Sequence, residues 1–388
     1  MRLTGVGACA ILEEETARSQ WETVIVNSSL EDVLGPFAAS GAIPGTVVLV
    51  ADEGGILAEA AVGHADIAQG RPMRMDTLFW VASQTKPVTA AALMMLVDES
   101  KVRLDDPVAE YLPEFGKLWV RAEEDEDHLL LRRSERPVTL RDLLCHMSGM
   151  PFLSAMEEPT IDLLTLPQAM RSYVMTPLVS QPGQKYLYSN MGINTIGRVI
   201  EVVSGMSYES FVMERLLRPL GMSDTTFRPS PEQLGRLATT YRPSADGSAY
   251  EATNISFLFR PLDSPERQAV PAGGLFSTAP DMLKFLRMVL GRGVYGGTRL
   301  LSESAVTQMA QRQTPAEAEA NYGLGWSLGP DSFGHGGAGG TDMKVYPDAG
   351  IVALYMIQHQ GLTEQGGGCF PAFEAAVRNL FVSRAGAK

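Results

Sequence analysis

The sequence predicts an α/β fold of the α+β kind: an antiparallel sheet flanked by terminal helices and interrupted by an inserted, mainly helical lobe. Three observations carry this. Strand-like runs lie near both ends of the chain, at Gly45–Val50 and Ile56–Gly63 and again at 323–328, 343–346 and 351–357. Segments with apolar residues at helical spacing fill the middle. Amphipathic stretches at 27–41 and 370–382 predict a helix at each end. The implied division is a discontinuous sheet domain, 25–82 with 295–388, and a helical domain, 83–294, with a small β-ribbon at 117–133.

Taken in order, Asn27, Ser28 and Ser29 offer capping groups to a helix with Leu30, Val33, Leu34 and Phe37 on one face. The turn residues Asp52-Glu53-Gly54-Gly55 join the first two strands as a hairpin. Thr77–Trp80 leads into a central helix. The ribbon arms, 117–121 and 128–132, flank the acidic run 122–127, which reads as a wet loop tip. A threonine-capped helix follows over 138–146; its Cys145-His146 pair reads as a buried thiol and a structural histidine, since sequential neighbours do not face each other on a helix. Helices are expected at Gly192–Ser204, at Tyr208–Leu217 and through Met282, Phe285, Leu286 and Val289. The segment 229–271 is rich in Pro, Ser and Gly with interleaved aromatics, and is expected to be irregular and to wall a binding site, with the Trp119 ribbon and the loop 150–156 as further walls. Pro347-Asp348-Ala349-Gly350 is a hairpin turn between the last two strands.

Composition narrows the function. Of 388 residues, 45% are hydrophobic and 20% charged, which suits a soluble globular protein with ample core. A net charge of −13 opposes nucleic acid and anionic membrane surfaces as partners. No apolar run is long enough to span a membrane. Cys9, Cys145 and Cys369 are too scattered for a disulfide framework, and the five histidines lack ligand spacing, so neither a metal nor another cofactor is expected. Arg2 with the run Leu3–Leu12 makes a poor secretion signal, and the expected compartment is the cytoplasm.

The chemistry centres on Ser83-Gln84-Thr85-Lys86. Pro87 is tolerated only in a first helical turn, so the helix must begin near Ser83. Ser83 and Lys86, three residues apart, then project on one side of that turn, a hydroxyl beside a base. Orphan N–H groups at a helix start suit a hydroxyl that must become an alkoxide. Two distant elements join it: Tyr188-Ser189-Asn190 on a loop, and His335-Gly336-Gly337-Ala338-Gly339-Gly340, a glycine-dense link between strands that can bring backbone close to a ligand.

With these motifs in this order, the chain resembles the serine β-lactamase and penicillin-binding-protein superfamily, specifically the class C β-lactamase-like serine hydrolases and esterases. The stretches 138–149, 186–192, 273–278 and 322–326 carry the same resemblance, which covers roughly residues 30 to 380. It implies a β-lactamase-like fold and an acyl-enzyme on Ser83, with Lys86 as the neighbour that takes or weakens its proton. Tyr188 would be general base or proton shuttle, provided that cationic neighbours depress its pKa; Tyr186 is its nearest competitor. Asn190 would orient Lys86 and the substrate. Backbone N–H groups of Ser83 and Ala338 would form the oxyanion hole, with Gly336 and Gly337 lining it. His335 stands where the family often has lysine and would position the proton network.

Two departures bear on substrate. Ala82 precedes the nucleophile where many members have glycine. Gly336 stands where β-lactamases and peptidases commonly carry Thr or Ser; losing that hydroxyl removes a hydrogen bond to a substrate carboxylate worth about 1.5–3 kcal/mol. The expectation is a carboxylesterase on short-chain esters with weak or no β-lactamase activity. A β-lactamase, a D-amino-acid amidase or peptidase, an acyltransferase and a non-turnover penicillin-binding module are the alternatives. In each case the partner is a small ester or amide.

Overall fold

The computed structural model describes residues 30–383. The apolar N-terminal run, Cys9 and the expected cap at 27–29 lie outside them. A seven-stranded antiparallel sheet is assembled from both ends of the chain: β1 (Gly45–Ala51), β2 (Ile56–Asp66), β3 (Arg71–Pro72), β4 (Ser327–Leu328), β5 (Phe333–Gly336), β6 (Asp342–Tyr346) and β7 (Ile351–Met356). Their spatial order is β4-β5-β6-β7-β1-β2-β3. The two ends of the chain meet where β1 pairs with β7, Leu49 opposite Leu354. The expected fold class is thus borne out.

Five helices matter for the site: α1 (30–39), α2 (Thr85–Asp98), α3 (Asn190–Ser204), α4 (Ala279–Leu290) and α5 (Cys369–Val377). β1 is buried throughout because both of its faces are covered. Val48 and Val50 join Leu30 and Leu34 of α1 and Phe373 and Val377 of α5 in one cluster. Val47 and Leu49 belong to a larger cluster with Phe285 of α4, Leu93 of α2 and Ile196 of α3. That larger core runs unbroken from the sheet face into the helices. Helix α2 is buried at every position from Thr85 to Leu96, not along one stripe as its spacing suggested, because elements pack on it from all sides. No helix among the described residues is long and apolar enough to cross a membrane.

Several expected elements change in extent. The 138–146 helix shrinks to Leu140–Leu144, capped by Thr139. Helix α3 starts two residues early, at Asn190, because the Ser189 hydroxyl accepts from the Gly192 N–H. The segment 229–271 is more ordered than its composition implied, with a helix at Pro231–Arg236 and a hairpin of Thr240–Pro243 with Tyr250–Thr253. The run 323–328 is mostly turn: Gly325 has φ +78°, and a Cβ there would lie 2.8 Å from the Ala90 Cβ. Finally, His335 and Gly336 lie within β5, not in a link. Glycine's poor strand propensity hid this strand, and neighbouring pairs such as His335 with Met343 supply its order.

Candidate active site

Ser83 is delivered by a short strand pair, Phe79–Trp80 with Phe276–Ser277, and by the Val81 N–H, which donates to the Leu275 carbonyl at 3.0 Å. It sits in a 3₁₀ turn, Ala82–Gln84, that runs directly into α2. The turn forces Ala82 to φ +45°. This left-handed conformation costs an L-residue about 1–2 kcal/mol and explains why glycine suits the position. The Thr85 hydroxyl donates to the Ala82 carbonyl (2.6 Å) and accepts from the Leu275 N–H (3.2 Å), clamping the turn.

Lys86 is fully buried, and its Nζ makes three hydrogen bonds: to Ser83 Oγ (3.0 Å), Asn190 Oδ1 (2.8 Å) and the Ala272 carbonyl (2.7 Å). Burial pushes its pKa well below the ordinary lysine range and favours the neutral amine. Of its three partners, the amide oxygen and the carbonyl can only accept. A neutral amine therefore gives both N–H groups to Asn190 and Ala272, which leaves its lone pair for the Ser83 hydroxyl proton.

Tyr188, not Tyr186, is the phenol at this amine: Lys86 Nζ stands 4.7 Å from the Tyr188 ring centroid. Burial pushes the Tyr188 pKa well above the usual phenol value, although a hydrogen bond with Ser83 opposes the shift. The expected depression by cationic neighbours is thus reversed, because desolvation outweighs a lysine that is itself held neutral. Tyr188 is a neutral phenol here, able to pass a proton but not standing as a phenolate.

His335 is buried, and that burial is the main cause that pushes its pKa down to about 3. Its Nδ1 lies 2.7 Å from the Gly336 carbonyl, which can only accept, so Nδ1 carries the proton. Nε2 then accepts from Tyr322 Oη (2.9 Å) and, more loosely, from Tyr188 Oη (3.4 Å). His146 backs this group: its Nδ1 accepts from the Ser189 N–H (3.2 Å), and its ring lies 4.5 Å from that of Tyr188 and 4.9 Å from that of Tyr322. It is buried and structural, as its sequence context implied, yet it supports the phenol directly. Phe152, from the expected wall loop, stacks on Tyr188 with ring centroids 6.2 Å apart and is 43% exposed. Trp119 instead is covered by the Arg133 guanidinium at 3.5 Å.

Gly337 allows the remaining element to close in. A Cβ there would stand 2.6 Å from the Val81 carbonyl oxygen, so only glycine lets this strand end touch the segment before Ser83. The Gly337 N–H is taken by the Thr341 carbonyl, whereas neither the Ser83 nor the Ala338 N–H donates to another group among the described residues.

Ser83, Lys86, Asn190, Tyr188 and His335 are thus joined through contacts with one another, and Gly337 touches the segment before Ser83. Sequence reasoning missed Tyr322, although its Tyr-Gly-Leu-Gly-Trp stretch stood out, and the Ala272 carbonyl, which carries no side-chain signature beyond the adjacent Gly273-Gly274 pair.

A serine paired with a buried lysine and a phenol, at the margin of an antiparallel sheet, defines a serine hydrolase of the β-lactamase fold. The chain belongs to the Beta-lactamase family, whose model matches residues 30–372. It is 32% identical to protein Rv1367c of Mycobacterium tuberculosis over 82% of this chain and 87% of that one. It is 30% identical to esterase EstB of Burkholderia gladioli, covering 74% of each chain. In structure it is similar to EstCE1, a hydrolase with promiscuous acyltransferase activity, with TM-score 0.76, 23% identity, and 92% of this chain and 99% of that one covered; this is a likeness of fold.

Proposed function

We propose that this protein is a serine carboxylesterase that hydrolyses short-chain esters through an acyl-enzyme on Ser83, with weak or no β-lactamase activity. The observation that carries the mechanism is the threefold bonding of Lys86, which aims an amine lone pair at the Ser83 hydroxyl. Lys86 takes the hydroxyl proton as Oγ attacks the ester carbonyl. The developing oxyanion meets the N–H groups of Ser83 and Ala338. Tyr188 gives its proton to the departing alcohol and recovers one from the Lys86 ammonium. Water then attacks the acyl-enzyme by the same route in reverse, releasing the acid and restoring Ser83.

The substrate class rests on Gly336. A Cβ at that position would meet Asp342 Oδ2 at 3.6 Å, so the space without a hydroxyl donor lies beside an acidic side chain. Burial pushes the Asp342 carboxyl up to about 7, and above that pH its charge repels a substrate carboxylate. Neutral esters escape both penalties. The 30% identity to EstB, an esterase, supports the same reading.

The test compares kcat/KM for a chromogenic short-chain ester and a chromogenic cephalosporin. The ester is expected to be preferred by at least about tenfold, the lower end of one lost charge-assisted hydrogen bond. Gly336→Ser, for which there is room, is expected to narrow the gap by raising cephalosporin acylation. Cephalosporin turnover as fast as ester turnover in the unmodified protein would move the assignment to a β-lactamase or amidase.

A further inference from the structure

Behind the Lys86 site lies a buried polar chain that the mechanism above does not use. Glu157, Tyr173 and Asn194 are 2%, 0% and 3% exposed. Glu157 Oε2 accepts from the N–H and the hydroxyl of Ser154 (2.9 and 3.0 Å). Its Oε1 accepts from Tyr173 Oη (2.6 Å) and from Asn194 Nδ2 (3.3 Å). The same Nδ2 also donates to Tyr173 Oη at 2.9 Å. All four partners of the carboxyl are donors, so the group is satisfied as a carboxylate even though burial raises its pKa.

The chain ends at the catalytic lysine. Asn194 Oδ1 accepts from the Ala272 N–H (3.0 Å), and only its amide oxygen can do so, which turns Nδ2 toward Tyr173 and Glu157. The Ala272 carbonyl in turn accepts from Lys86 Nζ (2.7 Å). Just before it, the Pro271 carbonyl accepts from the Thr89 hydroxyl (2.7 Å), so the 271–272 backbone is held from two helices. A buried carboxylate is costly to keep, and a core that only needed packing would be served as well by apolar side chains.

We propose that Glu157, Tyr173 and Asn194 are positioning residues that hold the Ala272 carbonyl against Lys86, thereby fixing which way the amine lone pair points. The proposal rests on Lys86 being the base. Two consequences follow from the geometry. Without the fixed carbonyl, the amine can rotate its lone pair away from Ser83, which lowers the rate of acylation. The carbonyl also stabilises the ammonium more than the amine, so its loss lowers the Lys86 pKa further and moves the acid limb of kcat/KM toward lower pH.

The test is the pH profile of kcat/KM for a chromogenic ester in the full chain and in Asn194→Leu, Tyr173→Phe and Lys86→Met. Asn194→Leu is expected to lose about ten- to a hundredfold at the plateau, as for a catalytic group out of place by a fraction of an ångström or more. Its acid limb is expected to shift down by roughly half a unit or more. Tyr173→Phe, which leaves the direct contact between Asn194 and Glu157, is expected to shift in the same direction by less. A plateau loss with an unmoved limb would mark the chain as merely structural and overturn the proposal. Should Asn194→Leu show no cooperative thermal transition, Tyr173→Phe decides by the same criterion: a downward shift supports the proposal, and an unmoved limb overturns it. Full activity in Lys86→Met would instead sink the mechanism on which the proposal stands, a distinguishable result.

Discussion

Lys86→Met is expected to lower kcat/KM for a short-chain ester by about 10²–10⁴-fold, the range of a lost general base. The reason is positional. Methionine keeps most of the stem volume but cannot take the Ser83 proton, and the other group hydrogen-bonded to Ser83, the Tyr188 phenol, is held protonated by burial. The fold should survive, since a buried amine carries a desolvation cost that its removal relieves, although Asn190 Oδ1 and the Ala272 carbonyl lose a donor at about 1–3 kcal/mol for an unsatisfied group. The pH profile sharpens the expectation. Because burial pushes the Lys86 pKa well below the lysine range, the amine is neutral and active above that lowered value, and activity falls as pH drops through it. Thermal unfolding beside the kinetics separates loss of the base from loss of the fold.

Tyr188→Phe is expected to reduce kcat by about 10²–10³-fold while leaving the acid limb in place. Burial holds this phenol protonated, so it enters the reaction as a proton carrier between Lys86, the leaving alcohol and the Tyr322–His335 pair. Removing it slows proton delivery without removing the group whose titration sets the limb. If the phenolate were the base, the limb would disappear with the hydroxyl. The shape of the profile therefore separates the two roles, which the size of the rate loss alone does not.

The parts of this site legible in the sequence are those in which side chain and spacing coincide. Ser83 and Lys86 are three residues apart before a proline that can only stand in a first turn, and α2 begins there. Tyr188 and Asn190 flank the Ser189 cap of α3, and so arrive together. The hairpins of the sheet were legible from strand-like runs bounded by turn residues, and β1 and β7 appear nearly as read. What the sequence hid depends on tertiary contact. The Ala272 carbonyl belongs to the backbone, and nothing in residue type marks it as a ligand of Lys86. The direction of the Tyr188 shift depends on how deeply its ring is buried among His146, Phe152 and His335, a property of the assembled core. Strand β5 has glycine at two of its four positions and takes its extended form from pairing with β6.

The most direct measurement is intact-protein and peptide mass spectrometry after exposure to a slowly turned-over activated ester, run in parallel on Ser83→Ala. A single acyl group on the peptide holding Ser83, absent from the variant together with all ester turnover, is the predicted result. An acyl group lodged elsewhere, or ester hydrolysis undiminished in Ser83→Ala, would contradict it.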